Sequence, residues 1–219
     1  GEALTAFREM AQKFPQDPLA DNALYYAGLS ALALGNPEEA IRLFRSLPEN
    51  SALRTDARLA EIDACRAAGD YAGGLLIANS LLANRAPNQR PWVEISKRRL
   101  ACEFALGNTD RGSLERAVVT AESLLKSPAA DAADKNEAGF IRGRSLEQLG
   151  REDEALQAYL DVLYGRLGAN PDSSQPEYLW FARAGAEAAK IQEKRGDFKG
   201  ALAIYRNDLR NRHFLWSEQ

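Results

Sequence analysis

Gly35-Asn-Pro-Glu-Glu-Ala40-Ile-Arg-Leu-Phe44 decides the fold, because the chain repeats its plan. Gly150-Arg-Glu-Asp-Glu-Ala155-Leu-Gln-Ala-Tyr159 and Gly196-Asp-Phe-Lys-Gly-Ala201-Leu-Ala-Ile-Tyr205 also place glycine first, alanine five residues on and an aromatic ring four beyond that. Gly69-Asp-Tyr-Ala-Gly-Gly74 is a weaker copy with Ala78 at the ring position. Gly35, Gly69, Gly107, Gly150 and Gly196 each follow a helical pattern, where a left-handed C-terminal cap is wanted. Their spacings of 34, 38, 43 and 46 residues define a repeat that lengthens toward the C-terminus. Asn36-Pro37-Glu38-Glu39 reads as a helix start: N-cap, proline in the first turn and acidic residues facing the positive end of the dipole. The alanine lets a second helix approach the first closely, and the ring is expected to fill the gap toward the next pair. Gly28 and Gly143 fall seven residues before their turn glycines, in mid-helix. There glycine costs about 1 kcal/mol against alanine, so close packing is the expected compensation.

Outward from this repeat, all nine prolines lie between apolar-periodic segments or in a first turn, as a set of helices requires. The pattern predicts eleven helices, over 2–14, 19–34, 37–47, 51–68, 71–84, 90–106, 113–126, 131–149, 152–165, 177–195 and 198–213. Their short links imply antiparallel neighbours. Gly165–Pro176 is the longest connection, expected as a mobile loop or a break between pairs. Val, Ile and Thr supply 15 of 219 residues, so almost no sheet is expected.

The 28 basic and 31 acidic residues are spread evenly, for a net charge of −3, which argues against nucleic acid as a main partner. Lys97-Arg98-Arg99 is the densest basic run and reads as a solvated helix face. No apolar run reaches the ~18 residues of a membrane span. Gly1 is not an initiator residue, which points to a trimmed start and to targeting information lying elsewhere. Cys65 and Cys102 are too few for a disulfide scaffold and read as buried thiols.

Searches for chemistry find no His-Glu-x-x-His zinc helix, no Gly-x-Ser-x-Gly elbow and no phosphate-binding glycine loop. Gly73-Gly74 reads as close packing, and His213 has no metal-ligand spacing around it. Glu38/Glu39 and Glu152/Asp153/Glu154 stand at helix starts, where the dipole accounts for them. The expectation is a non-enzyme with no catalytic residue, cofactor or metal.

The repeat resembles the tetratricopeptide family, whose 34-residue unit is a helix–turn–helix. Leu24, Ala27, Gly28, Ala31, Ala40, Phe44 and Leu47 occupy its signature positions, with Leu24 where the family has Trp and Ala31 where it has Tyr. The resemblance implies an all-α, right-handed superhelix in one domain over 1–219: a leading helix (1–15) and pairs over 19–48, 51–84, 90–126, 131–165 and 177–213. The third pair is the weakest copy, resting on Phe104, Gly107 and Ala117. A narrower likeness, carried by Phe14-Pro-Gln-Asp-Pro-Leu-Ala-Asp-Asn-Ala-Leu-Tyr25-Tyr26, is to junctions in bacterial envelope scaffolds. These include the outer-membrane-protein assembly lipoprotein and the Tol–Pal-associated periplasmic protein, so the likeness implies a periplasmic or envelope location.

In the family, first helices line a concave groove. That assigns Asn22, Tyr25, Leu29, Asp56, Leu59, Asp63 and Arg66 to the groove, with Phe140, Arg144, Glu147, Arg183 and Lys190 further on. The third first helix is left out because its register is ambiguous. A protein or peptide partner is expected there, held by a few anchors and polar contacts. The alternatives are a helical arm of a larger envelope or cell-wall enzyme, and an assembly subunit that self-associates through exposed ends. Phe7 and Met10, expected to be exposed on the leading helix, and the apolar tail Phe214-Leu215-Trp216 motivate the last.

Overall fold

Pro37 and Pro91 open helices and Gly35, Gly69, Gly150 and Gly196 close them, with φ between +75° and +79° at the four glycines. A computed structural model describes residues 1–168 and 178–206, of which the side chain of Tyr178 is not described. Ten helices run through them: α1 (Glu2–Lys13), α2 (Ala20–Ala33), α3 (Pro37–Arg45), α4 (Arg54–Ala67), α5 (Tyr71–Leu82), α6 (Arg90–Leu106), α7 (Arg111–Lys126), α8 (Ala132–Gln148), α9 (Glu152–Leu163) and α10 (Tyr178–Lys194). Residues 198–206 are helical as well, and no strand occurs among the described residues. The all-α class is as expected. Most of the Gly165–Pro176 connection, His213 and the Phe214-Leu215-Trp216 tail lie outside the described residues. No described helix is long and apolar enough to cross a membrane.

The chain divides into two compact units, Gly1–Asn84 and Arg85–Gln219. In the first, consecutive helices pack from α1 through α5, and α2 also adjoins α4. Its core is built on Ala27, Ala31, Ala40, Phe44, Leu47, Ala57 and Ala64. The leading helix α1 is not the open edge expected of it. Leu4 and Ala11 are buried, Phe7 and Met10 are only half-exposed, and the Phe7 ring lies 5.7 Å from that of Tyr26. In the second unit, consecutive helices pack from α6 through α9, and α9 packs with α10. One core cluster joins Val93, Leu100, Ala117, Ala121, Leu124 and Ala138; another joins Leu146, Ala155, Tyr159, Val162, Ala184 and Ala188.

The alanine five residues after the turn glycine is buried wherever it occurs, at Ala40, Ala155 and Ala201. The rings, expected to reach toward the next pair, instead seat on the mid-helix glycine of their own pair. A Cβ on Gly28 would stand 2.4 Å from Phe44 Cε1, and one on Gly143 would stand 2.5 Å from Tyr159 Cε1. These glycines are notches, and both rings are wholly buried in them.

Two other glycines differ from expectation. Gly107 has φ −54°, so it is not a left-handed cap. Thr109 and Asp110 lengthen this turn, and Asp110 starts α7 by accepting the Gly112 N–H (3.0 Å) and the Ser113 hydroxyl (2.7 Å). Glycine is needed at 107 because a Cβ would meet Leu114 Cδ2 at 2.2 Å. Gly73 serves a cap rather than helix packing: Asp70 Oδ1 accepts its N–H at 2.9 Å, and a Cβ would strike that carboxylate. Asp197 and Gly200 repeat this arrangement.

Ion pairs tie helices to one another within each unit. Buried Glu61 on α4 accepts from Arg45 Nε of α3 (2.6 Å) and Arg58 Nη1 (2.9 Å). Between α6 and α8, buried Asp134 accepts from Lys97 Nζ (2.9 Å) and from Arg90, and Lys97 also pairs with Glu137 at 3.0 Å. Asp134 and Asp131 complete a reciprocal capping box at the start of α8. The run Lys97-Arg98-Arg99 is therefore not a free solvated face. Lys97 goes to Asp134 and Glu137, Arg98 to Glu94, and Arg99 to buried Glu103 at 2.8 Å.

Cys65 and Cys102 are buried thiols that form no disulfide. Burial pushes the Cys65 thiol up to about 11, and the carboxylates of Asp70 and Glu61 add to the rise. At pH 8 it is a neutral thiol shielded from reagent, and thiolate is the reactive form. The expected result is that maleimide labels neither cysteine in the folded protein within an hour and labels both in denaturant; rapid labelling of Cys65 in the folded chain contradicts this account.

Candidate partner-binding surface

The helices α2 and α4 each bury one stripe of mostly small residues in the core of the first unit and leave another stripe outside it. On α2 the buried set is Ala20, Ala23, Ala27, Gly28 and Ala31, which leaves Asn22 exposed and Tyr25 and Leu29 half-exposed. On α4 the buried set includes Ala57, Ala60, Glu61 and Ala64, leaving Asp56 and Arg66 exposed and Leu59 and Asp63 half-exposed. Tyr25 packs its ring 6.0 Å from Phe44 and 5.6 Å from Tyr26, while Arg66 donates to Asp63 at 3.3 Å. The structure thus brings the first-unit positions onto two adjoining helices.

In the second unit the corresponding residues converge more closely. Phe140 of α8 stands 5.8 Å from Tyr159 of α9 and 5.5 Å from Trp180 of α10. Arg183 lies over the Trp180 ring, its guanidinium carbon 5.3 Å from the centroid. One turn along, Arg144 of α8 lies 3.6 Å from Glu187 of α10 and 3.9 Å from Glu147. Lys190 donates to Glu187 at 3.1 Å. The buried Tyr159 hydroxyl donates to Glu147 Oε2 at 2.8 Å; burial first, and then the Glu147 carboxylate, holds that phenol far above its usual range. The surface so formed has an aromatic end and a charged end, and it spans two helices.

Sequence reasoning missed Trp180 and Glu187 on this surface and the role of buried Tyr159 beneath it. Trp180, Arg183, Glu187 and Lys190 step by three and four residues, the spacing of one helix face, and that signal was available once α10 was placed. The role of Tyr159 was not legible, because its hydroxyl meets Glu147 only once α9 has docked in the Gly143 notch. Among the described residues no group of three or more His, Cys, Asp or Glu side chains could hold a metal ion.

Residues 22–51, covering most of α2 and all of α3, match the tetratricopeptide repeat family. No curated protein matches the chain. Among solved structures, the chain is similar to one titled "MamA RS-1 ArsTM double mutant" at TM-score 0.61 and 16% identity, over 99% of this chain and 98% of that one. It is similar also to "MamA 41-end from Desulfovibrio magneticus RS-1" at TM-score 0.59 and 16% identity, over 96% and 95% of the two chains. At that identity the likeness bears on the fold, which is of the helix-pair repeat class along nearly the whole chain.

Proposed function

We propose that the chain is a non-catalytic scaffold that holds a protein or peptide partner on the outward stripes of its first helices. The observation that supports this most directly is the α8–α10 surface. Phe140 and Trp180 offer aromatic anchorage, and the cations and carboxylates beside them would orient a bound segment. The family match over 22–51 and the fold likeness to MamA support a protein-interaction role in general. All twelve groove positions assigned above stand outside the buried core, which is what contact with a partner requires. The resemblance of the Phe14–Tyr26 junction to envelope scaffolds supports a periplasmic or envelope location.

Truncating Tyr25 and Phe140 is a poor test, because both rings pack on buried rings and their loss would disturb the fold. Arg183 and Lys190 are exposed and better suited. R183E with K190E is expected to leave the helical circular dichroism and the melting midpoint within about 2 °C of the parent, as exposed substitutions do. Capture of the chain's partner from its native cells, read by quantitative mass spectrometry, is expected to fall at least about tenfold, the effect of about 1.4 kcal/mol. Undiminished capture by the folded double variant would remove the α8–α10 surface from the proposal.

A further inference from the structure

The α8–α10 surface carries guanidinium groups whose hydrogen-bonding capacity is unspent. Arg144 is ion-paired with Glu147 and Glu187 at 3.9 and 3.6 Å, both beyond hydrogen-bond reach. Its Nε is buried and has no hydrogen-bond partner. Arg183 has its described contact with the Trp180 ring, and no carboxylate pairs with it among the described residues. Arginine presents donors in a planar fork that matches a carboxylate, and a buried donor left empty is costly. Arg183 lies one helical turn from Glu187, which Arg144 approaches, so the two forks belong to one neighbourhood.

The acidic groups on this surface are already engaged. Glu147 accepts the Tyr159 hydroxyl at 2.8 Å, and Glu187 accepts Lys190 Nζ through both oxygens, at 3.2 and 3.1 Å. With Arg144, Arg183 and Lys190 against Glu147 and Glu187, the surface keeps one positive charge in excess. That excess sits beside the Phe140–Trp180 ring pair, whose centroids are 5.5 Å apart.

We infer that the partner element seated here is an acidic peptide segment, an Asp or Glu carboxylate adjoining an apolar side chain, with the carboxylate taken by Arg183 and Arg144 and the apolar group set against Trp180 and Phe140. This rests on the reading of the α8–α10 surface as a partner-binding face and adds its chemistry. A cation-bearing segment would meet the excess positive charge of this surface, and a purely apolar one would leave the Arg183 guanidinium without a carboxylate.

The test uses the full chain and four short fluorescein-labelled peptides, read by fluorescence anisotropy. One has a central Phe flanked by Asp and Glu; a second replaces the acids with Asn and Gln; a third replaces them with Lys; a fourth keeps the acids and replaces Phe with Ser. The acidic Phe peptide is expected to bind most tightly, with the amide and Ser versions about tenfold weaker and the Lys version weaker still. Arg183→Ala and Arg144→Ala are each expected to weaken the acidic peptide about five- to tenfold, and rising salt is expected to weaken it further. Arg183→Lys is expected to recover only part of the loss, since an ammonium keeps the charge without the fork. If the amide or Lys peptide binds as tightly as the acidic one and Trp180→Ala abolishes that binding, the acidic preference is overturned while the face stands. If none of the four binds, or if binding survives Arg183→Ala and Trp180→Ala unchanged, both the preference and the face are overturned.

Discussion

Phe44→Ala is expected to destabilise the Gly1–Asn84 unit by about 3–5 kcal/mol, the range for removing a fully buried phenyl ring. Phe44 has no solvent exposure, and its ring occupies the notch left by Gly28. The converse substitution, Gly28→Ala, has two opposed effects. Alanine gains about 1 kcal/mol in helix propensity. Its methyl would overlap a ring edge at 2.4 Å in a packed interior, and overpacking of this kind costs about 1–3 kcal/mol. The net expectation is a loss of up to about 2 kcal/mol. The combined variant decides the matter. With the ring gone the methyl meets no clash and fills part of the cavity, so Gly28→Ala should become stabilising in the Phe44→Ala background. Urea denaturation of the parent, both single variants and the double variant measures this coupling. Additive losses would show that the glycine and the ring do not share one space.

Asp134→Asn is expected to cost the second unit about 2 kcal/mol and to flatten its acid limb. Loss of one partner from a buried ion pair costs about 3–5 kcal/mol when the other charge is stranded, but Lys97 and Arg90 can both reach solvent here. Burial alone would raise the Asp134 carboxyl. Hydrogen bonds from Lys97, the Asp131 N–H and Arg90 outweigh it and hold the group below its ordinary 3.8. Since the folded value is the lower one, the stabilisation is present above 3.8 and is lost as pH falls through the depressed folded value. Lys97 has the opposite sign. Burial would lower it, but Asp134 and Glu137 outweigh that and raise it above 10.5, so its contribution holds below 10.5 and is lost as pH rises through the folded value. Thermal melts across pH 2–5 should show a steep fall for the parent and a shallower one for Asp134→Asn; parallel curves would mean that this network does not govern acid stability.

The helices were legible because their ends are written locally. Proline removes a donor and fixes φ, glycine alone adopts a positive φ without strain, and both act on their immediate neighbours. Gly107 shows where that reading runs out. Its composition matches the turn glycines, but it has a φ of −54° in a turn one residue longer, and its smallness serves Leu114 instead. The notches at Gly28 and Gly143 were half-legible: mid-helix glycine announced a close approach but not which ring made it. The Arg90–Lys97–Asp134 network was not legible, since it depends on the register of α6 against α8, some 40 residues apart. The same limit hid Trp180, whose significance comes from standing opposite Phe140 on another helix.

The notch and its ring also constrain how this chain can change over generations. A lineage that gains a methyl at 28 or 143 first must carry a strained interior, and one that loses the ring first must carry a void. The two members of each pair, sixteen positions apart, are therefore expected to change together, each bounding the substitutions open to the other.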